Sequence, residues 1–281
     1  MDWSFTKMQG CGNDYIYFNC MENPFPSPEK YAAILSDRHF GIGGDGIVLI
    51  KSSDKADAFM RIFNADASEA EMCGNAIRCV GKYLYDNNIV RKTEMSIETL
   101  SGVKHLYLSV DTSGSVSSVR VDMGKAELSP ELIPADLPGK EIIARTIRVG
   151  DENYDITCVS MGNPHVVVFV NNTAVLDLKN LGPLFEKHIL FPKGVNTEFV
   201  RVIDSHTLDM RVWERGSGET LACGTGACAS AVAAVLNGFC PIGEDIKVNL
   251  LGGRLIIRFT EETVYMTGGC EKVFEGVISV V

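Results

Sequence analysis

Two stretches of this chain read alike: CGNAIRCVGKYLY at residues 73–85 and CGTGACASAVAAVL at residues 223–236. Each opens on a Cys-Gly pair and continues with apolar residues at helical spacing, so helices are predicted over residues 76–85 and 227–236. The second is nearly free of polar residues, as befits a helix buried on all sides. It runs into Asn237-Gly238, a helix stop. Cys223 follows Cys73 by 150 residues.

The same spacing recurs elsewhere. Gly12-Asn13 precedes the apolar run at 15–18, and Gly162-Asn163 precedes the run at 166–170. Arg61-Ile62-Phe63-Asn64 lines up with Arg211-Val212-Trp213-Glu214. Three matches at one offset point to a duplicated domain. Around them, residues 46–50, 58–63, 93–98, 105–110 and 117–122 read as strands, rich in β-branched residues and bounded by Gly, Ser or Asp. The expected fold is α+β, with two pseudo-symmetric domains, each strand-rich with one central helix. The first domain takes residues 1–123 plus 269–281 and the second takes 124–268. Residues 128–140, with three prolines, read as a crossing between them.

The composition is that of a globular chain: 46% of the 281 residues are hydrophobic and 22% charged. A net charge of −10 argues against a nucleic-acid partner. The N-terminus, MDWSFTKMQGCGNDY, shows no secretory pattern, and no apolar run is long enough to span a membrane, so a cytoplasmic protein is expected. Nine cysteines are present without a C-x-x-C pair or zinc-type spacing, so no metal site is expected. Seven of the nine read as small buried hydrophobes. Gly41 to Gly46 satisfies G-x-G-x-x-G, but a dinucleotide site needs that motif between a strand and a helix. Here a helix end precedes it and a strand follows, which rules out that reading.

The remaining two cysteines, Cys73 and Cys223, stand at helix starts. Unpaired backbone N–H groups there carry about half a positive charge. They favour a thiolate and can dock a carboxylate on Gly74-Asn75 and Gly224-Thr225. If the pseudo-symmetry sets two such ends against one ligand, one thiolate removes an α-hydrogen from one face while the opposed thiol protonates the other. Such a pair inverts an α-amino acid. A non-enzymatic amino-acid binding protein would use the same helix ends but gives no reason for a cysteine at both.

The segments KMQGCGNDYI (7–16), RIFNADASEAEMCGNAIRC (61–79), GNPHVVVFV (162–170), GVNTEFV (194–200) and WERGSGETLACGTGACA (213–229) resemble diaminopimelate epimerase. The resemblance implies two similar domains, each a rolled, mostly antiparallel β-sheet around a central helix, with the active site in the cleft, and a homodimer. It implies interconversion of LL- and meso-diaminopimelate, in lysine and peptidoglycan precursor synthesis, with no cofactor. It places Cys73 and Cys223 as the base and acid. Gly74, Asn75, Gly224 and Thr225 contact the reacting carboxylate, and Arg215, Asn64 and Asn196 clamp the distal carboxylate. Glu214 faces the distal ammonium, and Asn13 and Asn163 line the cleft. His165 either helps polarise the site or is a satisfied structural residue. Gly46 stands where some members carry Gln, removing a side-chain contact to substrate; the repeat pairs it with Asn196.

Overall fold

The computed structural model describes residues 2–279. Its four helices among these residues are α1 (Pro28–Ser36), α2 (Gly74–Asp86), α3 (Leu178–Glu186) and α4 (Gly224–Leu236). The chain divides into two compact units, Met1–Asp122 with Thr267–Val281, and Met123–Met266. The architecture is α+β, with mostly antiparallel strands.

In the first unit, strand Asp2–Gly10 pairs antiparallel with both Glu271–Ser279 and Asn13–Asn19. Strand Asn13–Asn19 then pairs parallel with Gly46–Lys51, which pairs antiparallel with Ala58–Asn64. A second parallel pair joins Ala58–Asn64 to Glu94–Thr99, and an antiparallel meander through Gly102–Val110 to Val116–Asp122 completes the sheet. Parallel neighbours need a crossover. Helix α1 supplies the first and α2 the second. Strand Gly46–Lys51 is apolar and buried almost throughout, as expected where both faces are covered.

The second unit repeats this order. Strand Glu152–Ser160 pairs antiparallel with Arg145–Val149 and Pro164–Phe169. Strand Pro164–Phe169 runs parallel to Asn196–Asp204 across α3, and Thr207–Glu214 runs parallel to Asp245–Leu250 across α4. The 150-residue offset survives in the register itself. Tyr15 pairs with Gly46 as His165 pairs with Asn196, and Phe63 pairs with Glu69 as Trp213 pairs with Glu219.

The central helices end alike. Asn87 and Asn237 cap α2 and α4, each side-chain amide donating to the carbonyl four residues back (Tyr83 and Ala233) at 2.8 Å. Asn88 and Gly238 follow in the left-handed region, the conformation that closes a helix C-terminus. Helix α4 is buried on nearly every side, its alanines and valines fitting beneath the sheet.

Each unit has its central helix and, beside it, a second one: α1, whose end the sequence showed ahead of Gly41, and α3, which the sequence reading did not include. Both are short, but the sequence holds their start signals: Ser27-Pro28 with Glu29 before α1, and Asp177, whose side chain accepts from the Asn180 N–H, before α3. Residues 128–140, expected as a crossing between the domains, lie within the second unit. Ile133 and Ala135 are buried in the apolar core of the second unit, beside Ile142, Ile147 and Phe185. Among the described residues no helix is long and apolar enough to cross a membrane.

Candidate active site

In the first unit, Cys73 is the N-cap of α2, in extended conformation and half-buried. Its thiol donates to Asn13 Oδ1 at 3.3 Å, and Asn75 Nδ2 donates to the same oxygen at 3.3 Å. Asn13 in turn donates to Asp45 at 2.7 Å, which fixes its amide. Arg38 bridges Asp14 at 2.7 Å and Asp45 at 3.0 Å, while Lys7 pairs with Asp14 at 2.7 Å. Burial works to raise the Asp14 carboxyl, but Arg38 and Lys7 outweigh it and hold the group below the ordinary carboxylate range. Asn64 ends its strand with its amide on Ser68 Oγ at 3.1 Å.

Behind this face lies Arg78, wholly buried. Its guanidinium donates to Gly74 O at 3.0 Å, Asn75 Oδ1 at 2.9 Å and Gly269 O at 3.4 Å. It thereby locks the side chain of Asn75 and ties the head of α2 to the returning C-terminal segment.

In the second unit, Cys223 caps α4 in the same extended conformation but is buried. Its sulfur accepts from the Gly226 N–H at 3.4 Å and lies 3.5 Å from the Thr225 hydroxyl. Nearby Glu214 accepts from the Thr220 hydroxyl. Asn196 is a strut: it donates to Pro164 O at 2.9 Å and accepts from the Arg215 N–H at 2.9 Å. The Arg215 guanidinium is exposed and reaches Lys193 O at 2.9 Å. His165 has no exposure; its Nδ1 sits 2.7 Å from Glu198 Oε1 and its Nε2 3.0 Å from Asn163 Oδ1.

The thiolate expected at both helix ends is not what Cys223 shows. Burial pushes its thiol well above the ordinary value, and the charges of Glu214 and Glu198 add to that. Magnitudes explain the outcome. A helix terminus favours an anion by about 0.3–1 kcal/mol. Full desolvation of an ionisable group alone shifts it by up to about 3–5 pH units, several times that free energy. Glu214 is itself raised, by burial first, with the Thr220 and Cys223 hydrogen bonds pulling the other way.

The other cysteines follow expectation with one exception. Six are buried, whereas Cys11 is half-buried, at φ 54, with Arg78 reaching toward its sulfur at 3.9 Å. It sits in the tight turn ahead of Asn13, where the backbone cannot sink into the core. Gly46 has a packing reason. A Cβ there would lie 2.2 Å from Phe63 O and 2.9 Å from the Tyr15 ring. Among the described residues no cluster of three or more His, Cys, Asp or Glu side chains could hold a metal ion. Arg78 and Glu198 escaped the sequence reading. Their one signal is a charge inside an otherwise apolar run, NAIRCV and NTEFV.

The half-sites share their order of residues with known proteins. The profile of the Diaminopimelate epimerase family matches residues 5–129 and 157–273. This chain belongs to the diaminopimelate epimerase family. The diaminopimelate epimerase of Acetivibrio thermocellus is 54% identical over 274 residues, covering 97% of each chain. That of Methanococcus maripaludis (strain C5) is 52% identical, covering 98% of this chain and 99% of its own. Family likeness thus spans both units. Among solved structures, a Bacillus anthracis phenazine biosynthesis protein of the PhzF family superposes with a TM-score of 0.74 at 16% identity, covering all of both chains. A hydroxyproline epimerase from Agrobacterium vitis superposes at 0.70 with 13% identity, covering 99% of this chain and 92% of its own. These two share the fold.

Proposed function

We propose that this chain is a cofactor-independent epimerase that interconverts LL- and meso-diaminopimelate with Cys73 and Cys223 as its proton-transfer pair. The observation that carries the reading is the Cys-Gly pair heading α2 and α4, each cysteine an extended N-cap, at an offset of 150 residues. The reaction is balanced in protons. A thiolate accepts the α-proton as the C–H bond breaks, and the second thiol gives its proton to the opposite face of the same carbon. The two sulfurs exchange protonation states, and the reverse reaction restores them.

Each remaining residue has a role in this reading. The backbone N–H groups of Gly74-Asn75 and Gly224-Thr225 bind the reacting carboxylate, whose growing negative charge the helix ends stabilise. Asn13 and Asn163 line the substrate cleft. Asn64, Asn196 and Arg215 hold the distal carboxylate, for which the Arg215 fork is suited, and Glu214 faces the distal ammonium as well as Cys223. His165 helps polarise the site from beside Asn163. The same family resemblance supports a homodimer and a cytoplasmic setting, which sedimentation velocity and cell fractionation test.

The deciding experiment follows the α-hydrogens of LL-diaminopimelate by proton NMR in D₂O with reduced protein, Cys73→Ala and Cys223→Ala. Loss of the α-hydrogen signal with appearance of the meso isomer, abolished in both variants, is the expected result. Folded, reduced protein that exchanges no α-hydrogen would sink the assignment. Formation of the meso isomer that persists in either variant would sink the two-thiol pair.

A further inference from the structure

Glu198 stands out in the second unit as a carboxylate with no exposure, in the buried first half of its strand and followed by the buried apolar Phe199 and Val200. One oxygen, Oε1, lies 2.7 Å from His165 Nδ1; the other, Oε2, is buried with no hydrogen-bond partner. The carboxylate also presses on the first turn of α4. A Cβ added to Gly226 would come within 2.5 Å of Glu198 Oε1, so glycine at 226 is what lets the two meet. The Gly226 N–H is the group that reaches the Cys223 sulfur at 3.4 Å. A fixed anion therefore sits against the same helix end that would otherwise favour a thiolate. The first unit lacks this arrangement: positions 48 and 15, the equivalents of 198 and 165, are Val48 and Tyr15.

We propose that Glu198 is a positioning residue that makes the two thiols unequal: it holds the His165 ring with a proton on Nδ1 and keeps Cys223 as the protonated member of the resting pair. A carboxylate oxygen 2.7 Å from Nδ1 can only accept, so the proton must be on that nitrogen. Two carboxyl groups raise Cys223, and Thr225, Gly226 and the His165 ring beside Glu198 are the groups that can offset them. Glu214, from strand Thr207–Glu214, raises the thiol by its charge. Glu198, from strand Asn196–Asp204, adds a second negative field. Within α4 the Thr225 hydroxyl and Gly226 N–H oppose them without a full charge. His165, from strand Pro164–Phe169, is held by Glu198. Cys223 is then the acid that serves the first turnover, a statement that rests on the two-thiol reading above.

The test measures each thiol by ultraviolet thiolate absorbance against pH, as the difference between the protein and Cys223→Ala, and between the protein and Cys73→Ala. Cys223 is expected to ionise above an ordinary thiol. Glu198→Gln is expected to lower its midpoint by about one pH unit or more and leave the Cys73 midpoint in place, which a general loss of structure would not do. Should Glu198→Gln fail to fold, the native protein still decides. Its His165 ring ¹⁵N shifts, assigned against His165→Asn, must show a protonated Nδ1 beside the raised Cys223 midpoint. A Cys223 midpoint at or below the ordinary value, an unmoved midpoint in Glu198→Gln, or an unprotonated Nδ1 overturns the proposal. None of these readouts requires turnover, so failure of the epimerase assignment would appear separately as absent α-hydrogen exchange.

Discussion

Arg61 grips Glu69 at 2.6 Å, and 150 residues on Arg211 grips Glu219 at 2.7 Å. The pair staples the short strand after Ala58–Asn64, and after Thr207–Glu214, back onto its neighbour just ahead of the Cys73 and Cys223 helix starts. Identical stapling at both places shows that the duplication preserved the scaffold around the Cys-Gly helix starts as well as those starts.

The two staples should not be equally strong. Arg61 makes a partly solvated ion pair, for which Arg61→Ala is expected to cost about 1 kcal/mol or less. Arg211 donates in addition to Thr173 O at 2.7 Å and Leu176 O at 3.0 Å. Losing those bonds from a charged donor leaves two carbonyls short, and Arg211→Ala is expected to cost about 2–3 kcal/mol. Urea unfolding of both variants checks the order; equal losses would contradict it.

Gly46 carries a second expectation. Its missing side chain lets Phe63 O and the Tyr15 ring close over the backbone. Gly46→Gln is therefore expected to act as an overpacking change, destabilising by about 1–3 kcal/mol. A variant of unchanged stability but altered substrate preference would instead make position 46 a specificity site.

The repeat was legible because sequence offset and strand register coincide: residues 15, 46, 63 and 69 have partners at 165, 196, 213 and 219. The central helices were legible from spacing, and the second also from its Asn237-Gly238 stop. What stayed hidden has physical causes. Helix α1 showed only its end, ahead of Gly41, and α3 did not show at all, because both are short and demanded by the need for a crossover rather than by a long apolar period. Pro183 inside α3 masks it further. The burial of Arg78 and Glu198 could not be read, because a charge in an apolar run looks like an exposed position until its neighbours enclose it. Cys223 misled for a related reason: sequence shows the helix end that favours a thiolate but not the desolvation and carboxylates that oppose it.

Arg78 gives a stability test of that hidden burial. Its guanidinium binds Gly74 O, Asn75 Oδ1 and Gly269 O. Arg78→Met keeps bulk but orphans those acceptors at the head of α2, at a cost of about 1–3 kcal/mol for each group left buried and unsatisfied. The expected loss is at least about 3 kcal/mol in urea unfolding, with Arg78→Lys only a partial remedy because an ammonium lacks the planar fork. A loss below about 1 kcal/mol would mean that water reaches these acceptors.

Buried thiols should also limit the protein on the alkaline side. Burial pushes Cys158 up to about 12, and Cys20 and Cys240 up to about 11, against an ordinary 9.0. The sign follows from linkage. A group whose folded value is raised gives its full stabilisation below the unfolded value and loses it as pH climbs toward the folded one. Between pH 9 and 12 the unfolded chain sheds these protons while the folded chain keeps them. For Cys158, enclosed in the second unit's core, stability should fall by on the order of 1 kcal/mol per pH unit. Urea midpoints under reductant, measured from pH 8 upward, should therefore decline beyond about 9. In Cys158→Ala the overall level drops because a cavity opens, but the decline with pH should be shallower than in the parent. Parallel declines in the two proteins would show that Cys158 ionises as readily folded as unfolded.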